Sequence, residues 1–102
     1  MQLKPGTRLR SATDTTEVVV VRAPAEPVDV RCGGEPMVPF DDSPGTLLAI
    51  REGYGSGTLI GKRYAGDEAG IEILVTKAGE GSISLGETVL EPKGAKPLPS
   101  SD

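Results

Sequence analysis

The sequence predicts an all-β domain, a small barrel or sandwich of about six to eight short antiparallel strands. Three observations carry this prediction. Fourteen glycines and nine prolines in 102 residues cut the chain into short pieces joined by tight connections. β-branched residues gather in two runs, at 17–22 and 71–77, where they disfavour helix and favour a pleat. Phe40, Tyr54 and Tyr64 are the only aromatic residues, so the core must be aliphatic.

Residues 1–6 are a lead-in, and 7–12 alternate as a first strand. Thr13-Asp14-Thr15-Thr16 is turn chemistry, because short polar side chains bond their own backbone. Glu17-Val18-Val19-Val20-Val21-Arg22 is apolar on both faces, which predicts a strand that is central or covered on both sides. Its flanking charges oppose edge aggregation. After a Pro-rich connection, residues 28–32 alternate, so Val28, Val30 and Cys32 share one face while Asp29 and Arg31 take the other. Gly33-Gly34 ends that strand, 35–40 is extended and irregular, and 41–45 is a loop.

The 44–52 segment is open between two readings. Ser43 as N-cap, Pro44 as first helical residue and Gly53 as stop describe a short helix. Gly45 in the first turn and the shortness of the segment favour a strand. A turn at 54–57 leads to a strand at 58–64, a loop at 65–70, a strand at 71–77 and a turn at 78–81. Gly86-Glu87 between 82–85 and 88–90 reads as a two-residue hairpin with glycine first, as a type II′ turn prefers. Residues 1–91 form one β-domain of ordinary size. Residues 92–102 form a flexible C-terminal tail with little to bury, or an arm that orders on a partner.

Composition excludes much chemistry. With no histidine and one cysteine, one copy of the chain cannot assemble a Ser-His-Asp or Cys-His arrangement, and it lacks the usual zinc ligands. The net charge is −4 and Lys62-Arg63 is the only adjacent basic pair, so nucleic-acid binding is not expected. No apolar run approaches the ~20 residues of a membrane helix, and the N-terminus carries no apolar segment of signal type. With a single thiol, these features suit a reducing cytoplasm.

Cys32 is the one candidate thiol site, although by alternation it points where the valines point and packs as a small hydrophobe. Gly33, Gly34, Met37 and Phe40 form a candidate docking loop, because prolines at 36 and 39 hold it out of a regular ladder; the alternative is that Met37 and Phe40 plug one end of the core. Gly53–Thr58 and Gly61-Lys62 miss the spacings of phosphate-binding loops. The carboxylates Asp41-Asp42 and Asp67-Glu68 lack the alternating oxygen ligands of a calcium loop.

The stretches 17–24, 31–37 (Arg-Cys-Gly-Gly-Glu-Pro-Met) and 76–82 resemble those of small bacterial proteins with an R-C-G-G-x-P-M segment. The resemblance implies no activity. It suggests relatives with a second cysteine near position 14, whose paired-thiol or metal role this chain could not perform.

The reading of the sequence is a non-catalytic binding or accessory module acting through protein–protein contacts or self-association, with no cofactor. Two alternatives stand beside it: a redox or metal-contacting protein dependent on Cys32, and a binder of small apolar ligands.

Overall fold

A computed structural model describes residues 2–42, 47–66 and 69–92. Its strands are β1 (Arg8–Arg10), β2 (Glu17–Arg22), β3 (Val30–Cys32), β4 (Glu35–Pro36), β5 (Val38–Pro39), β6 (Arg63–Gly66), β7 (Ile71–Lys77), β8 (Ile83–Leu85), β9 (Thr88–Val89) and β10 (Glu91–Pro92). They form two antiparallel sheets, ordered β10-β6-β7-β2-β1-β5 and β4-β3-β8-β9. The architecture is sandwich-like rather than a closed barrel. No described helix is long and apolar enough to cross a membrane.

The two β-branched runs pair with each other at the centre of the larger sheet, with Val18 opposite Val75 and Val20 opposite Ile73. Their inward residues join Leu9, Val30, Cys32, Met37, Tyr64, Ile71 and Ile83 in one core. Each buried large aliphatic side chain contributes roughly 1.5–3 kcal/mol by leaving water. β2 is central, as its sequence predicts, but only one face is covered. Val19 is half-buried and Val21 exposed. Val21 has no partner in the register, being the extra residue where Val20 and Arg22 oppose consecutive residues of β7. That is a β-bulge, which bends the strand and turns a side chain outward.

Both two-residue hairpins obey local backbone physics. At Gly86-Glu87 only the glycine has positive φ (57°), and Leu85 pairs with Thr88, the arrangement of a type II′ turn. At Gly33-Gly34 both residues have positive φ (68° and 87°), and Cys32 pairs with Glu35, the type I′ pattern that favours Gly-Gly. The second hairpin corrects the reading of 35–40 as irregular. Glu35–Pro36 returns along β3, whereas Val38–Pro39 pairs with β1 in the other sheet. The chain changes sheets at Met37, whose side chain is buried.

Other departures follow the same logic. Residues 47–53 are neither strand nor helix, while 43–46 lie outside the described residues. This segment is tied by isolated backbone bonds, from Leu48 N to Ala12 O (2.8 Å) and from Arg51 N to Gly33 O (2.9 Å), and no ladder forms. The strand expected at 58–64 begins only at Arg63, because 58–62 turns on Gly61 (φ 77°). Pro92 pairs with Tyr64, so the sheet reaches one residue into the expected tail; residues 93–102 lie outside the described residues.

Glycine substitutions separate turn strain from packing. Gly61 has no neighbour near an added Cβ, whereas a Cβ at Gly33 would collide with Thr13 Oγ1. Gly61→Ala should cost about 1 kcal/mol of backbone strain. Gly33→Ala should cost at least about twice that, since strain and overlap combine. Urea denaturation measures both, and equal losses would contradict this placement of the Gly33-Gly34 turn.

Candidate functional site

The chemistry-bearing residues meet at one end of the sandwich, where the 11–16 turn of the larger sheet touches the smaller sheet. The turn is built by its own short polar side chains. Ser11 Oγ accepts from the backbone N–H of Thr13 (3.0 Å) and Asp14 (3.2 Å), and Ser11 N donates to Thr16 O (2.9 Å). Asp14 Oδ1 accepts from Thr16 N (3.2 Å), while Oδ2 accepts from Gly81 N, just before β8. Thr13 Oγ1 donates to Cys32 O (3.3 Å). The turn thus binds both β3 and the 78–81 connection.

Cys32 is fully buried against this turn, its Sγ 3.8 Å from Asp14 Oδ1. Burial pushes the thiol up to about 11, and the negative charge of Asp14 pushes in the same direction. At neutral pH it is therefore a protonated thiol, and the thiolate is the form that attacks electrophiles or binds metals. Crowding seals it as well. A Cβ at Gly81 would stand 3.0 Å from Sγ and 2.8 Å from Gly33 N, so glycine alone fits between the sulfur and the β3–β4 turn. Asp14 is the opposite case. Burial raises its carboxyl, but hydrogen bonds from Ser11, Gly81 and Thr16 together outweigh burial and hold it below the ordinary carboxylate value.

Alternation places Arg31 on the other side of β3, away from the sulfur. Its Nε contacts Asp29 Oδ2 (2.8 Å) and its Nη1 donates to Gly34 O (3.1 Å). There it borders a cleft of about 200 Å³ shared with Arg51 and Tyr54. Arg51 pairs with Glu35 (2.9 Å) and the Tyr54 hydroxyl donates to Glu87 O (3.0 Å). The cleft is below the range of about 300–1,000 Å³ usual for ligand pockets. Each guanidinium is already matched by a carboxylate, so these contacts pin the two glycine hairpins and the 47–54 segment together. Among the described residues, no group of three or more Cys, Asp or Glu is placed to hold a metal ion.

The remaining predicted site residues are dispersed by the fold. Gly33, Gly34 and Met37 are buried, so Met37 takes the plug position and offers no docking surface: its N–H bonds to Val30 O (3.0 Å), which turns its side chain into the core between the sheets. Phe40 lies outside, half-buried beneath the guanidinium groups of Arg8 (3.9 Å from the ring centre) and Arg10 (4.8 Å). Ser56 N donates to Ser82 Oγ (2.9 Å) and Thr58 N to Gly79 O (3.1 Å), so the 53–58 glycine stretch spends its polar groups on the fold.

Two features escape a linear reading. Asp14 becomes central because residues 67 positions apart meet at Gly81; only the clustering of Thr, Asp and Ser hinted at it. Leu47, Leu48, Leu59 and Ile60 are 50–66% exposed, although apolar pairs read naturally as strand interior.

The fold and this site describe an antiparallel β-sandwich whose single thiol is closed off by a hydrogen-bonded turn. No protein-family model, curated protein or solved structure matches the chain.

Two measurements check the site. In native protein Cys32 should not react with a thiol reagent near pH 7–8, and should react at once in denaturant; fast native labelling would show that the seal is open. Because the folded thiol titrates higher than the unfolded one, its contribution is complete below the unfolded value of 9.0 and is lost as pH rises towards about 11. Asp14 works in the opposite direction. Its folded carboxyl titrates lower than the unfolded one, so its contribution is present above the unfolded value and disappears as pH falls through the folded value. Asp14→Asn should therefore be less stable than wild type at pH 7, by about 1–3 kcal/mol for losing charged hydrogen bonds. The gap should close in acid, and a gap independent of pH would exclude this role.

Proposed function

We propose that the chain is a non-catalytic binding module which engages another protein through its 47–60 segment. One observation carries the reading. This irregular segment exposes Leu47, Leu48, Leu59 and Ile60 while its backbone is tied to Ala12, Gly33 and Gly79. A loop fixed at several points that still presents large apolar side chains has the properties of a docking surface. It replaces the Met37–Phe40 loop in that role, since Met37 is buried.

The sealed thiol does not support the redox or metal alternative, and the charged lining of the cleft does not support an apolar ligand. A reducing cytoplasm is the compartment we propose, where an unpaired cysteine persists without oxidation.

The paired substitutions Leu59→Ser with Ile60→Ser, and Leu47→Ser with Leu48→Ser, test the assignment. These side chains stand outside the core, so each pair should shift stability by no more than about 1 kcal/mol. Light scattering on the purified protein should give a mass above the 10.6 kDa of one chain, from self-association or a stoichiometric partner. One or both pairs should return it to the monomer mass. A wild-type protein that is monomeric and holds no partner overturns the proposal.

A further inference from the structure

The outer face of the larger sheet carries an ordered charge pattern that neither the core nor the thiol site uses. Its register aligns Arg8, Val19, Leu74 and Arg63 in one row across β1, β2, β7 and β6. Val19 and Leu74 in the middle are half-buried, and the arginines at both ends are exposed. The next row toward the 11–16 turn runs Arg10, Glu17 and Lys77; the row on the other side runs Arg22, Glu72 and Ala65, with Glu91 beyond. Among the described residues of these rows, five cations thus stand against three carboxylates, in a chain whose net charge is −4.

These cations are largely uncommitted. Arg63 spends Nη1 on the buried Glu72 (3.1 Å), but its side chain stays 57% exposed, so its other N–H groups remain available; Arg8, Arg10, Arg22 and Lys77 form no ion pair with a described residue. Arg8 and Arg10 flank the Phe40 ring, and Arg10 Nε is buried with no hydrogen-bond partner. Stacking on the ring restricts both guanidinium groups, which lowers the entropy lost when they grip a carboxylate.

We propose that this face binds an extended acidic segment of another polypeptide, laid across the strands from Arg8 to Arg63. Three strand spacings separate the two arginines, about 14 Å. An extended chain rises ~3.3 Å per residue and returns to the same face every second residue, so carboxylates four positions apart span about 13 Å. An apolar residue midway would fall on Val19 and Leu74. A nucleic acid fits less well. The chain's net charge of −4 opposes a polyanion carrying a phosphate on every nucleotide more strongly than a segment carrying two carboxylates. Strand addition at either edge of this larger sheet is also unfavourable, since β5 and β10 each contain a proline. None of these residues belongs to the 47–60 segment, so either assignment can fail alone.

The test is fluorescence anisotropy with a labelled nine-residue peptide bearing glutamates at its third and seventh positions and leucine at its fifth. Binding should weaken as salt rises. Arg8→Glu should reduce affinity by about tenfold or more, as reversal of one contacting charge implies. Leu74→Ser should weaken it with little change in salt dependence, and Thr88→Glu, at an exposed position on β9 of the smaller sheet, should leave it unchanged. A peptide with lysine in place of both glutamates should not bind. Failure of the acidic peptide to bind, binding indifferent to Arg8→Glu, or tighter binding of a single-stranded oligonucleotide would each overturn the proposal.

Discussion

Asp14 is the constraint on which the arrangement of the two sheets depends. It belongs to the turn between β1 and β2, yet its carboxylate reaches the Gly81 amide ahead of β8 and lies against the Cys32 thiol of β3. One short side chain therefore joins the larger sheet to two strands of the smaller one. A charged group can do this half-buried because every neighbour donates to it. Thr13, through its bond to the Cys32 carbonyl, repeats the link one residue away. The requirement for glycine at 33 and 81 follows, because turn and strand approach too closely for a Cβ.

The same junction explains why Cys32 belongs to the core. Reactive thiols need positive potential and access, and here the nearest charge is negative and the space is filled. Arg31, the adjacent residue that carries positive charge, leaves on the opposite face of the pleat to pair with Asp29.

What the sequence makes legible is whatever has a short range. Alternation placed Val30 and Cys32 inward, the valine run at a sheet centre, and Ile71, Ile73 and Val75 on one buried face. The Gly86-Glu87 turn followed from glycine's access to positive φ. The Gly33-Gly34 hairpin was written just as plainly, but prolines at 36 and 39 hid it: proline is tolerated at an edge, and both sit in edge strands belonging to different sheets. The path of 47–62 was not legible. It is set by single hydrogen bonds to distant carbonyls rather than by any period. Asp14 was visible only as turn chemistry, since its partners are remote in the chain.

Those edge prolines have a consequence for how this architecture can grow. Strands β5 and β10 bound the larger sheet and β4 one side of the smaller sheet, each with a residue that cannot donate a ladder hydrogen bond. Among the described strands, only β9, Thr88–Val89, presents a proline-free margin. Lateral extension of the fold is thus confined to one direction, and a lengthened descendant or a fused strand would enter beside the Gly86-Glu87 hairpin.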